Sequence, residues 1–258
     1  MINVIVAGFR GSMGQKTVEL VKQTADFHLV GVYSPHVTEL QPQKYGLADD
    51  VQVFNHLGTE MKSADVWIDF STPTAVFENT KFALKSHIHP VVGTSGLNEA
   101  QLTELKALAK TQQTSGLIVP NFGISAVLLM KFAKEAATYF PDVEIIEMHH
   151  EDKLDAPSGT ALSTAQAISE ARKAPVQPEF KESVKGARGA DYQGIRIHSV
   201  RLPGYVAHEQ VLFGGAGEAL TIRQDSFNRD SFMKGVAIAV RQVATLSELA
   251  VGLENVLN

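Results

Sequence analysis

The sequence predicts an α/β chain in two parts: a doubly wound parallel half to about residue 121, then an α+β half with a mixed or antiparallel sheet. Three observations predict this. Strand-like runs and helix-period stretches alternate through the first 120 residues. Those runs are mostly apolar rather than alternating, as strands covered on both faces are. After residue 195, three strand-like segments follow one another across short glycine-containing links, the pattern of neighbouring antiparallel strands.

The first run spans 2–7, ends at Gly8, and leads into a helix with apolar Met13, Val18 and Val21 on one face. Further strands are predicted at 28–33, 51–54, 66–70, 90–92 and 117–119. Helices are predicted over 74–85 and 98–110, with Thr72-Pro73 and Asn98 as their start signals. Beyond Asn121 the reading is a helix over 124–139, a strand over 143–148 and a helix over 158–172. A polar stretch with Pro175, Pro178, Gly186 and Gly189 comes next, followed by strands at 195–202, 207–213 and 219–225. A long helix over 231–249, with apolar Phe232, Val236, Val240, Val243 and Leu246, closes the chain. The predicted domains are therefore 1–121, with the final segment 231–258 packing back on it, and 122–230.

Composition narrows the function. Of 258 residues, 44% are hydrophobic and 20% charged, as in ordinary globular proteins. The 23 Lys and Arg against 28 Asp and Glu give a net charge of −5, which disfavours a generally basic nucleic-acid binder. No apolar run approaches the ~20 residues of a membrane span, and the first residues do not read as a signal peptide. With no cysteine, disulfides, thiol catalysis and cysteine-ligated metals are excluded. A cytoplasmic setting is the expectation, with no membrane or nucleic-acid partner.

Gly8-Phe9-Arg10-Gly11-Ser12-Met13-Gly14 occupies the first strand–helix turn. A diphosphate needs close backbone N–H donors with a helix start behind them, and glycine lets the backbone approach. At this junction the pattern predicts a Rossmann-type dinucleotide site. An acidic residue closing the second strand would read a ribose 2′-hydroxyl. Here that strand ends Tyr33-Ser34-Pro35-His36, with no carboxylate before Glu39. Arg10 and His36 are placed to meet a 2′-phosphate instead, or to be plain solvated loop residues. Gly93-Thr94-Ser95 and the strand end Val119-Pro120-Asn121-Phe122 lie where ribose and nicotinamide would collect, at carboxyl ends of strands. Phe122 is placed either to stack on the ring or to pack at the domain junction.

The richest stretch is Glu147-Met148-His149-His150-Glu151-Asp152-Lys153-Leu154-Asp155-Ala156-Pro157-Ser158-Gly159-Thr160-Ala161. Either histidine can exchange a proton near neutrality. Lys153 is a fixed cation. Pro157-Ser158-Gly159-Thr160 reads as a helix start suited to an anion, with Gly159 open to close approach. Donor, cation and cradle within a dozen residues predict a site for a small carboxylated substrate. No metal is predicted, because adjacent histidines on a strand point to opposite faces and Lys153 opposes a cation. The rival readings are a solvated loop with a helix cap, another oxidoreductase on this scaffold, and a nicotinamide-binding regulator. A thiohemiacetal mechanism is excluded by the missing cysteine.

Gly8-x-x-Gly11-x-Met13-Gly14, Asp69-Phe70-Ser71 before Pro73, Gly93-Thr94-Ser95-Gly96, Asn121-Phe122 and, above all, the stretch from Glu147 to Ala161 resemble the 4-hydroxy-tetrahydrodipicolinate (dihydrodipicolinate) reductases. The resemblance implies hydride transfer from NADH or NADPH to a cyclic unsaturated dicarboxylate, giving tetrahydrodipicolinate on the diaminopimelate route to lysine. It implies His149 and Lys153 as the catalytic proton donors. It places His150, Gly159 and Thr160 on the substrate, with Ser158 beside them in the same cradle. Gly8, Phe9, Arg10, Gly11, Ser12, Met13, Gly93, Thr94, Ser95, Val119, Pro120, Asn121 and Phe122 would hold the cofactor. A cytoplasmic homotetramer built through the second-domain sheet is implied as well. NADH-preferring members often carry an acidic residue at the end of the second strand, where this chain has Tyr33-Ser34.

Overall fold

A computed structural model describes residues 1–59, 61–173 and 181–257, so the predicted Pro175 and Pro178 lie outside the described residues. The chain forms two compact units, residues 1–122 with 232–258, and residues 123–231.

In the first unit, β1 (Ile2–Ala7), α1 (Ser12–Gln23), β2 (Phe27–Tyr33), β3 (Gln52–Phe54), β4 (Val66–Asp69), α2 (Val76–Lys85), β5 (His89–Val92), α3 (Glu99–Gln112) and β6 (Gly116–Ile118) follow in order. Their strands pair in parallel, with β1 central between β2–β3 and β4–β5–β6. The order reverses at β1, so the loop after it opens where such sheets bind ligands. Trp67 is fully buried among Tyr33, Phe54 and Phe82, with ring centroids 5.6, 6.2 and 5.8 Å away. Tilted and edge-on pairs of this kind suit the ring quadrupoles.

Asn98 caps α3 as its sequence suggests. Its side chain accepts from Gln101 N at 2.9 Å while Gln101 Oε1 accepts from Asn98 N, a reciprocal capping box. Thr72-Pro73 does not cap α2. The Thr72 carbonyl instead accepts from Ala75 and Val76 N–H, making a turn before the helix begins at Val76.

In the second unit, α4 (Ile124–Ala136) precedes β7 (Asp142–His149), α5 (Gly159–Ala171), β8 (Ala190–Tyr192), β9 (Ile195–Arg201), β10 (Ala207–Gly215) and β11 (Glu218–Ser226). The sheet order is β11-β10-β7-β9-β8, with β7–β9 parallel and the other pairs antiparallel. It is therefore a mixed sheet. Ile145, Ile197, Val211 and Phe213 from its strands pack with Ala161, Ala165 and Ile168 of α5 and with Leu129 and Ala133 of α4. The alanines let the helices lie close to the sheet.

The predicted closing helix is a correction. Only α6 (Met233–Gln242) is α-helical. A 3-10 turn over Val243–Thr245 follows, and then β12 (Leu249–Val251) adds in parallel to β6 at the edge of the first sheet. Val243 is buried, but in the turn rather than on a helical face, and Leu249 is buried on the added strand.

Candidate active site

The dinucleotide half is built by glycines that nothing larger could replace. Gly8 has φ +74°, and a Cβ there would sit 2.2 Å from the Phe70 carbonyl oxygen. A Cβ on Gly14 would sit 2.2 Å from the Gly8 oxygen. The Gly11 N–H donates back to Gly8 at 3.0 Å, closing the turn ahead of α1, whose N-cap Gly11 carries no side chain to occupy the helix start. Arg10, Gly11 and Ser12 are exposed at this turn and Met13 is half-buried. A narrow backbone cradle with an uncapped helix N-terminus fits a diphosphate. Phe9 differs from the rest: its ring is buried edge-on against Tyr45 at 5.2 Å, so only its backbone serves the loop.

The end of β4 anchors the Gly93–Ser95 loop. The fully buried Asp69 carboxylate accepts from Thr94 Oγ1 at 2.7 Å, Ser71 Oγ at 2.6 Å, Ser71 N at 3.0 Å, Asn79 Nδ2 at 2.8 Å and Trp67 Nε1 at 3.3 Å. The bond to Thr94 fixes the Gly93–Ser95 loop to the sheet, with Ser95 left exposed. Val119 is buried and its N–H donates to Val92 O, leaving its carbonyl as the group able to serve a ligand. Pro120 is exposed and Asn121 half-buried. Of the two roles open for Phe122, the structure gives packing. Its ring is buried 5.5 Å from Phe70 and fills the space beside Gly93.

The substrate half centres on Glu147, whose side chain is fully buried at the end of β7. Its carboxylate accepts from His149 Nδ1 at 2.5 Å, from Arg201 Nη1 and Nη2 at 2.8 Å each, and from Ser158 N at 3.2 Å. Burial raises its pKa, but the hydrogen bonds from His149, Arg201 and Ser199 and the Arg201 charge outweigh burial and hold it at about 2. With Nδ1 committed to Glu147, the network assigns Nδ1–H, and Nε2 is the nitrogen without a partner among the described residues. Placing Glu147 and His149 two residues apart on a strand puts both on one face, while His150 falls beyond the strand end and is exposed.

Arg201 is the residue that sequence reasoning left out. Parallel pairing of β7 and β9 sets it opposite His149. Beyond its fork to Glu147, Nη2 donates to Asp155 O at 2.6 Å and Nε to Lys153 O at 3.2 Å, which ties down the loop between β7 and α5. Lys153 Nζ donates to both Asp155 oxygens at 2.7 and 2.9 Å, and this bond lowers the Asp155 pKa. Ser158 is buried, and its hydroxyl accepts from Ala161 N at 3.2 Å as the cap of α5. Thr160 is half-buried and Gly159 exposed. A Cβ on Gly159 would meet no protein atom within 4 Å. No group of three or more metal-ligating side chains occurs among the described residues.

Known proteins match this chain over its whole length. Residues 2–122 match the family profile described as dihydrodipicolinate reductase, N-terminus, and residues 125–257 match dihydrodipicolinate reductase, C-terminus. The chain belongs to the dihydrodipicolinate reductase family. It is 61% identical to the 4-hydroxy-tetrahydrodipicolinate reductase of Limosilactobacillus fermentum, covering 100% of both chains. It is 61% identical to that of Lactobacillus acidophilus, covering 98% of both. It superposes with TM-score 0.91 on a dipicolinate-bound dihydrodipicolinate reductase from Paenisporosarcina sp. TG-14, at 47% identity and 100% coverage of both chains. As a member of the dihydrodipicolinate reductase family the chain is an NAD(P)H-dependent oxidoreductase. No described helix is long and apolar enough to cross a membrane.

Proposed function

We propose that the chain reduces the cyclic unsaturated dicarboxylate of 4-hydroxy-tetrahydrodipicolinate chemistry to tetrahydrodipicolinate. When bound, the nicotinamide supplies a hydride to a ring carbon conjugated with an imine. The protein's task is then to grip two carboxylates and return a proton to the ring nitrogen.

The observation that carries this reading is the pairing of His149 Nδ1 with buried Glu147, which leaves Nε2 to hold and give the proton. A carboxylate behind the imidazole fixes its tautomer and orientation. Lys153 is the second proton donor, and its loop is tied down by the Arg201 hydrogen bond to its backbone carbonyl. The start of α5 at Gly159 and Thr160, with His150 near it, binds a substrate carboxylate. No protein neighbour requires a glycine at 159, and a ligand approaching the backbone N–H groups does. Gly8 to Met13, the Gly93–Ser95 loop and the backbone of residues 119–121 hold the cofactor. Tyr33-Ser34, in place of an acid, together with exposed Arg10, favours acceptance of NADPH alongside NADH. A cytoplasmic homotetramer, free of membrane and nucleic acid, is the working assembly; the family resemblance and the net charge of −5 support it.

Parallel steady-state assays of His149→Gln and Lys153→Ala test the reading. Turnover is expected to fall by about 10²-fold or more while cofactor affinity changes less than threefold. Turnover equal to wild type in both variants overturns it.

A further inference from the structure

Behind Glu147 lies a second buried acid that the reading above does not use. Cross-strand pairing places Ser199, Glu147, Glu209 and Gln224 opposite one another across β9, β7, β10 and β11, so their side chains share one face of the sheet. Glu209 is 2% exposed, and its Oε1 is buried without a hydrogen-bond partner. The carboxyl shares a hydrogen bond with the Thr164 hydroxyl of α5. The Thr164 hydroxyl also lies 3.0 Å from Thr160 O, and toward Glu209 its bond favours the carboxylate. The other groups facing it are Glu147 from β7 and Gln224 from β11, the latter held by Ser125 of α4 and by Ser226. His149 and Arg201 lie beyond Glu147, on its far oxygens.

We propose that Glu209 is a positioning residue for proton donation, a second acid whose charge acts through Glu147 on how firmly His149 keeps its proton. The inference rests on the reading of His149 as donor. Neutral Glu209 leaves the Glu147 carboxylate balanced by Arg201 and His149, and leaves the Thr164 hydroxyl on Thr160 in the substrate cradle. Ionised Glu209 adds a negative charge one strand behind Glu147, and that charge favours the imidazolium. Burial, reinforced by the Glu147 charge and only partly offset by the Thr164 hydrogen bond, pushes the Glu209 carboxyl up to about 7, so the change falls within the working pH range. The Glu209 proton leaves to solvent, and no covalent step is involved.

The test is the pH profile of kcat/KM for wild type, Glu209→Gln and His149→Gln, with NMR titration of the His149 imidazole. Gln keeps the shape and stays neutral. Below pH 6, Glu209→Gln is expected to match wild type within twofold. Its alkaline limb is expected to move down by roughly one pH unit, the effect of one charge at roughly 10 Å in an effective dielectric of about 20. In wild type, the His149 titration is expected to show a second inflection where Glu209 ionises. A Glu209→Gln limb that superimposes on wild type, with the limb absent in His149→Gln, overturns the inference and leaves His149 as donor. A limb that persists in His149→Gln overturns both. A single-step His149 titration in wild type overturns the inference even if Glu209→Gln does not fold.

Discussion

Each unit of the chain places a buried carboxylate at the end of a strand that leads into a ligand loop, and the two are surrounded differently. Asp69 is held by neutral donors, the hydroxyls of Thr94 and Ser71, the Asn79 amide and the Trp67 indole. Glu147 is held by a histidine and an arginine. The first arrangement fixes the backbone of a loop. The second fixes a loop and also orients the His149 imidazole, the proton donor of the proposed reaction, through its Nδ1. A buried acid thus serves as scaffold in one unit and as electrostatic partner in the other, according to its donors.

Removing the second hub is expected to have the largest effect. Glu147→Ala leaves Arg201 and His149 without their carboxylate and should cost about 4 kcal/mol, read as the denaturant midpoint, with turnover lost as in His149→Gln. Retention of wild-type stability would reduce Glu147 to an ordinary surface pair. Acid should act in the same sense: the Glu147 pKa is depressed to about 2, so the stability it confers is present above about pH 4.5 and is lost as pH falls toward 2.

The next effect has the opposite sign. The Glu209 pKa is raised to about 7 when folded, so the stability tied to its neutral form is present below about pH 4.5 and is lost as pH rises through 7. Glu209→Gln avoids that loss and should be more stable than wild type by up to about 3 kcal/mol at pH 8.5 relative to pH 5. A stability difference independent of pH would show that Glu209 does not titrate in this range.

Asp69→Ala should be milder, about 2 kcal/mol, because neutral donors lose less than charged ones. Its signature should be a cofactor KM raised roughly tenfold, or about 1.4 kcal/mol, with kcat at saturation within threefold. An unchanged cofactor KM would separate the Asp69 hub from the nucleotide site.

Much of this arrangement is legible in the sequence where the cause is local. The Gly8 turn, the Asn98 capping box and the helix start at Ser158-Gly159 depend on residues within a few positions, and each is found at its predicted place. What was not legible is set by pairing between distant segments. Arg201 meets Glu147 only through the β7–β9 register, so its spacing of 54 residues carries no signal. The tail shows the same limit. Val236, Val240, Val243 and Leu246 fit a helical stripe, yet the free edge of β6 recruits residues 249–251 as a strand. The packing of Phe122 on Phe70 likewise joins segments 52 residues apart and leaves no local pattern.

The smallest structural change gives the most direct test of the central claim, that a substrate carboxylate docks on the backbone at the start of α5. Gly159→Ala places a methyl group where no protein atom lies within 4 Å, so stability should stay within about 0.5 kcal/mol of wild type. Titrating pyridine-2,6-dicarboxylate into the nicotinamide-loaded protein, by calorimetry, is the measurement. At least a tenfold loss of diacid affinity in Gly159→Ala, with cofactor affinity intact, is the predicted result. Diacid binding equal to wild type would contradict the account.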